Sequence, residues 1–170
     1  ADPTADETVT CTSTGGIDAD GGEVTLSYAW DINGTPAGTG PTLSSTTSRG
    51  DILTCTVTGT DDSGATGTST ASVTVGNTPP TVSGVTLSPS SVYTNDTVTA
   101  TAIFDDFDGQ TVSGEFEWHV IDFATGVDVV AQSGPDVNLS GVSHFDRDDE
   151  VYVVVTPNDT VDDGTPITSA

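Results

Sequence analysis

Asp51-Ile52-Leu53-Thr54-Cys55-Thr56-Val57-Thr58 is the stretch that decides the fold. Leu53, Cys55 and Val57 alternate with threonines, a period of two that turns one side of an extended strand to a core and the other to water. The stretch returns as Asp149-Glu150-Val151-Tyr152-Val153-Val154-Val155-Thr156. Three other landmarks return in the same order. Thr8-Val9-Thr10-Cys11-Thr12 is matched by Thr97-Val98-Thr99-Ala100-Thr101, and Asp18-Ala19-Asp20-Gly21 by Asp106-Phe107-Asp108-Gly109. Tyr28-Ala29-Trp30 is matched by Phe116-Glu117-Trp118. Four landmarks in one order, three of them at a period of about 88 residues, mark two tandem repeats.

Both repeats read as β throughout. Thr and Ser alternate with Val, Ile, Leu or an aromatic, and Asn-Gly, Asp-Gly and Pro punctuate the runs. Thr and Val are stiff at the β-carbon and suit a pleated, half-buried surface. Glycine and threonine are too frequent for long helices. The pattern predicts strands at about 7–14, 24–33, 51–60 and 69–76 in the first repeat, with weaker ones within 41–48. In the second it predicts about 82–88, 96–104, 112–121, 127–132, 136–141, 149–156 and a start near 165. Short strands at this spacing imply β-sandwiches.

Charge narrows the partners. The formal charge is −24, lysine is absent, and the only cations are Arg49 and Arg147. A phosphate backbone would be repelled, which excludes nucleic acid, and anionic membrane surfaces are disfavoured for the same reason. Self-repulsion of this size opposes a compact state unless salt or bound cations neutralise it. No apolar run approaches the roughly 20 residues that span a bilayer, so no membrane insertion is expected. Ala1-Asp2-Pro3-Thr4 has neither the basic start nor the apolar stretch of a signal peptide.

Cys11 lies on one predicted strand, Trp30 on the next and Cys55 on a later one, the order of an immunoglobulin-type core in which a disulfide joins two sheets beside a buried tryptophan. The second repeat has Ala100, Trp118 and Val153 at these places, so both cysteines are replaced together by apolar residues. The alternatives are a Cys11–Cys55 bridge or two buried thiols. A bridge would stabilise by about 4 kcal/mol on the chain-entropy model and would imply an oxidising compartment.

Asp-x-Asp-Gly, then Tyr28-Ala29-Trp30-Asp31-Ile32-Asn33-Gly34, then Gly50-Asp51-x-Leu53-Thr54-Cys55-Thr56-Val57-Thr58, then Asn77-Thr78-Pro79-Pro80 resembles the PKD-like and bacterial Ig-like repeats of large secreted and cell-surface proteins. The resemblance covers nearly the whole chain. It implies an all-β fold of two tandem Ig-like (PKD-like) antiparallel β-sandwich domains, at 1–77 and 81–170 with a Pro-rich linker at 78–80. It also implies an extracellular or cell-surface location. The first repeat has no counterpart of the strand at Thr81–Ser88 and the second stops within its last strand, so the sequence reads as a window onto a longer array.

The aspartates carry the most chemistry. Asp18 and Asp20 precede Gly21; Asp105, Asp106 and Asp108 precede Gly109; Asp61 and Asp62 precede Gly64; Asp159, Asp162 and Asp163 precede Gly164. Alternate carboxylates on a loop, followed by a turn-permitting glycine, can converge on a hard cation, and calcium is the expected cofactor. In an Ig-like sandwich the loops between strands two and three and between six and seven share one end. In repeat two that end would face residues Gly76 to Pro80 and Arg49-Gly50-Asp51, so calcium there would stiffen the array, as in cadherin-like repeats. The plainer alternative is that these aspartates make Asx-turns and keep the surface soluble.

Other constellations are weaker. Arg49-Gly50-Asp51 spells an integrin-type tripeptide, but Arg147-Asp148-Asp149 holds the same place in repeat two, which a shared turn explains. Glu115, Glu117 and His119 alternate with Phe116 and Trp118 and would share a solvent face, as a metal site or simply as polar surface. His144 lies in a loop without an evident partner. Asn33, Asn95, Asn138 and Asn158 head Asn-x-Ser/Thr sequons, which are glycosylation sites only if the source modifies extracellular asparagines.

Catalytic signatures are missing from the sequence: there is no nucleophile elbow, Ser-x-x-Lys or phosphate-binding glycine loop. The expected function is therefore a non-catalytic structural or adhesive repeat whose partners are neighbouring repeats of the same protein, with other surface proteins or glycans as further partners. The alternative is a glycan-binding accessory module of a secreted hydrolase. That reading needs an exposed aromatic platform, for which only Tyr93, Phe123 and Phe145 are available once Trp30 and Trp118 are buried.

Overall fold

The computed structural model describes residues 2–19 and 21–170. The chain separates into two compact units, Ala1–Thr78 and Pro79–Ala170.

In unit 1, β1 (Thr25–Ile32), β2 (Thr35–Thr39), β3 (Ile52–Thr60) and β4 (Thr66–Thr74) form an antiparallel sheet in the order β2-β1-β3-β4. Asn33 and Gly34 make the β1–β2 hairpin with φ of 52° and 77°. Both central residues of such a turn need positive φ, which Asn and Gly tolerate best. Trp30 lies opposite Cys55 in the β1–β3 register. A second layer of extended chain crosses this sheet, with Thr10 bridged to Thr42. There the Cys11 N–H donates to Pro41 O and the Leu43 N–H to Val9 O. The predicted strand at 7–14 is thus reduced to one bridge, because only the short 41–43 segment pairs with it. The strand at 35–39 was not predicted, since Pro36 and Gly38 break the alternation that marks a strand.

Unit 2 is a two-sheet sandwich. Its elements are β5 (Thr81–Ser88), β6 (Thr97–Asp105), β7 (Ser113–Ile121), β8 (Asp128–Gly134), β9 (Asn138–Ser140), the single helical turn α1 (Gly141–His144), β10 (Glu150–Asn158) and β11 (Ile167–Thr168). One sheet has the order β5-β6-β9 and the other β11-β10-β7-β8. The β5–β6 register shifts between Ser83 and Thr86, where Gly84 takes φ of 61°. The bulge realigns β5 so that both Val82 and Val85 are buried.

The two cores are built on one plan. Trp118 faces Val153 across β7–β10 as Trp30 faces Cys55 across β1–β3. Both indoles are buried, and each satisfies its N–H locally: Trp30 Nε1 donates to Gly40 O at 3.1 Å and Trp118 Nε1 to Asp136 O at 3.2 Å. Truncating either to alanine would cost about 3–5 kcal/mol. Cys11 and Cys55 form a disulfide with Cα atoms 6.4 Å apart. Ala100 and Val153 fill the matching places in the second core. The protein is therefore all-β, with tandem immunoglobulin-like β-sandwich domains.

Candidate functional site

The acidic loops lie where β-strands end, and in each unit two of them meet. In unit 1 the Asp18 carboxylate accepts the Gly22 N–H at 3.0 Å, closing an Asx-type turn. Oxygens of Asp18 and of Asp62 both lie within 3.0 Å of the point a Cβ on Gly22 would occupy, so a larger residue there would push the two carboxylates aside. This brings the loop before β1 against the β3–β4 loop. Asp20 lies outside the described residues. Asp61 is occupied differently: its Oδ1 accepts the Ser63 hydroxyl at 2.8 Å and the Ala65 N–H at 2.7 Å. Those bonds, the Ser63 hydroxyl foremost, hold its carboxyl below the usual aspartate range.

In unit 2 the β6–β7 loop meets the β10–β11 loop. Asp106 Oδ1 accepts the Gln110 N–H at 3.0 Å, and the Gln110 side-chain amide donates to Asp159 O at 3.2 Å. Asp159 is 1% exposed, and its Oδ1 accepts the N–H groups of Val161 and Asp162, both at 2.7 Å. Asp106 Oδ2 is enclosed and accepts no hydrogen bond, a costly state for a carboxylate oxygen. Asp108 is half-buried on the same loop as Asp106, while Asp105 is exposed at the end of β6. Asp162 and Asp163 are exposed, and Asp163 accepts the Asn158 amide at 2.7 Å.

Among the described residues, no three His, Cys, Asp or Glu side chains already converge on one point suited to a metal. A hard cation at the Asp106–Asp159 loops would draw on these carboxylates together with backbone carbonyls and water. The enclosed, unbonded Asp106 oxygen fits that role.

The other sequence candidates have structural partners. Asp51 Oδ2 accepts the Ser48 N–H at 2.8 Å and Oδ1 the Asn33 amide at 2.8 Å. Asp149 repeats the pattern, with Oδ2 on the Asp146 N–H at 2.8 Å and Oδ1 on the Phe123 N–H at 3.0 Å. Both aspartates therefore tie the turn before their strand to the neighbouring hairpin. Asn33, Asn95 and Asn138 are exposed and Asn158 is half-buried. Asn33 Oδ1 accepts the Ile52 N–H at 2.9 Å, and the Asn138 amide donates to Asp136 at 3.2 Å.

Glu117 and His119 do meet, in a cluster completed by two residues that sequence reading missed. His119 Nε2 lies 3.0 Å from Glu117, and Nδ1 lies 3.0 Å from Asp128 on β8. Tyr152 on β10 donates to the other Asp128 oxygen at 2.5 Å. Asp128 and Tyr152 arrive by cross-strand register, and a solvent-facing period of two was the only signal for them. Carboxylates occupy both ring nitrogens, which leaves no lone pair for a metal and favours the imidazolium.

Phe145 is buried in the second core, which removes it from any aromatic platform. Tyr93 and Phe123 are exposed, on separate loops.

No family model matches the chain, and no curated protein matches it. Among solved structures, a crystal structure of domains from titin aligns over 88% of this chain and 58% of that one, with 12% identity and a TM-score of 0.38. The chain thus spans little more than half the length of that structure, and a likeness this slight carries no argument. The fold rests on the strand pairings above.

Proposed function

We propose that the chain is a non-catalytic structural or adhesive spacer of a PKD-like extracellular array, stabilised by calcium at the strand-end loops. The observation that carries the reading is the duplicated core. Trp30 and Trp118 occupy the same register with the same kind of N–H acceptor, so two domains of one design follow one another in the sequence. The disulfide, and the absence among the described residues of any helix long and apolar enough to cross a membrane, are compatible with an extracellular setting.

Calcium would be held at Asp106 and Asp159 in unit 2, and at Asp18 and Asp62 in unit 1. Bound there, it would cancel carboxylate repulsion between loops of a strongly acidic chain. Titration calorimetry of the full chain tests the idea. The expected result is calcium binding at about 10⁻⁴–10⁻³ M, the range of extracellular modules, with the unit 2 component lost in Asp106→Asn. Absence of binding heat at about 10 mM calcium, well above that range, would overturn it.

A further inference from the structure

Four asparagines head Asn-x-Ser/Thr sequons, and the folded chain treats one of them differently. Asn33 Nδ2 donates to Asp51 at 2.8 Å, Asn138 Nδ2 to Asp136 at 3.2 Å and Asn158 Nδ2 to Asp163 at 2.7 Å. Their carbonyl oxygens are taken as well, by the Ile52 N–H, the Thr99 hydroxyl and the Thr160 N–H. Each of these amides is therefore held at both ends, with its nitrogen on a carboxylate. Asn95 is exposed, and among the described residues no hydrogen bond holds its amide.

The backbone around Asn95 is fixed all the same. The Asp96 N–H donates to Tyr93 O at 2.8 Å, which closes a four-residue turn, and Asp96 Oδ2 accepts the Tyr93 N–H at 3.0 Å. The Gly141 N–H donates to Asp96 O at 2.8 Å and ties the turn to α1. Tyr93 and Asn95 are the first and third residues of this turn. Tyr93 is 80% exposed, while its neighbour Val92 packs against the core.

Reactivity selects among the four. N-glycosylation joins an asparagine Nδ2 to C1 of a sugar supplied by a lipid-pyrophosphate-linked oligosaccharide. The N–C1 bond forms, the C1–O bond to the pyrophosphate breaks, the lipid pyrophosphate leaves and Nδ2 gives up one proton. An amide nitrogen is a poor nucleophile and reacts when the transferase engages its two N–H donors. At Asn33, Asn138 and Asn158 one donor is already spent on an aspartate. The C–H face of a pyranose packs on a flat aromatic ring, and Tyr93 offers such a ring two residues before Asn95.

We infer that Asn95 carries an N-linked glycan, and that Tyr93 is the ring against which its first sugar rests. The inference rests on the extracellular reading, since sequons are modified on the surface loops of secreted proteins.

The test is to incubate the folded, unglycosylated chain with a single-subunit oligosaccharyltransferase and a lipid-linked oligosaccharide, and to read each sequon by peptide mass mapping. Asn95 should be modified at least about tenfold more than Asn33, Asn138 or Asn158. In a Trp30→Phe chain, where Trp118 reports unit 2, the glycan should raise Tm by about 4 °C. Tyr93→Ala should still accept the glycan and lose most of that rise. An unmodified Asn95, or equal modification of another sequon, overturns the acceptor assignment. A rise that is absent, or unchanged in Tyr93→Ala, overturns the role of the ring. The outcomes are read on purified chain without calcium, so they stand apart from whether calcium binds.

Discussion

The imidazole of His119 stacks on the phenol ring of Tyr152, with centroids 4.5 Å apart and planes 11° from parallel. Asp128 lies beside both rings, accepting from the Tyr152 hydroxyl and facing His119 Nδ1. Three strands are tied together on the solvent face of the sheet, and the edge strand β8 is held through Asp128.

The cluster sets a pH dependence. Burial lowers the His119 pKa, but the hydrogen bonds and charges of Glu117 and Asp128 outweigh it, and the net shift is upward. A raised folded value means the imidazolium contributes stability in full below the unfolded pKa of about 6.5, and that contribution is lost as pH rises through the folded value. An NMR titration of the His119 ring should give a midpoint above about 6.5, and Asp128→Asn should lower it. An unshifted midpoint in both chains would contradict the clamp.

Tyr152 titrates in the same sense. Its hydrogen bond to Asp128 is the leading cause that pushes its pKa up to about 12, with the charges of Asp128, Glu117 and Glu150 adding to it. Phenol-dependent stability is therefore present below pH about 10 and lost as pH rises through the folded value. Phenolate absorbance should show one tyrosine ionising later than the rest, and Tyr152→Phe should remove that late step.

The disulfide should matter to one unit alone. Replacing Cys11 with Ala and Cys55 with Val copies the Ala100 and Val153 pair of the second core. The double variant should lose about 4 kcal/mol from unit 1 on the chain-entropy model and leave unit 2 unchanged. Each unit has a single buried tryptophan, so Trp30→Phe and Trp118→Phe versions report the two melting curves separately. Equal loss in both curves would contradict the independence of the cores.

Asp51 and Asp149 should be interchangeable in effect. Each carboxylate accepts two hydrogen bonds around the turn before β3 or β10. Alanine at either place should cost about 1–3 kcal/mol, measured by urea unfolding with the tryptophan of the same unit. A loss at Asp51 alone would mean that the turns are not equivalent.

The cores were legible because their signals are local. Trp30, Cys55 and their counterparts sit on strands whose alternation is written in consecutive residues, and Cys11 lies in a segment with the same alternation. Asp128 and Tyr152 were not legible, since only the pairing of β7 with β8 and β10 brings them to His119. The loops fell between these cases. Turn-making aspartates such as Asp61 and Asp106 share one sequence pattern and each accepts the N–H four residues on; they differ in that Asp61 also accepts the Ser63 hydroxyl, whereas Asp106 keeps an enclosed oxygen without a hydrogen bond. The segment 7–14 carried a strand pattern but too few backbone partners to form a ladder.

Thermal unfolding with and without calcium tests the central claim most directly. At about 10 mM calcium, some 10–100 times the Kd of an extracellular module, the folded chain should gain roughly 1.4–2.7 kcal/mol. That raises Tm by several degrees or more for domains of this size. Sodium chloride at matched ionic strength should give a smaller rise, and Asp106→Asn should abolish the calcium-specific part in the Trp118 signal. A calcium shift no larger than the sodium shift would contradict a cation-stabilised spacer.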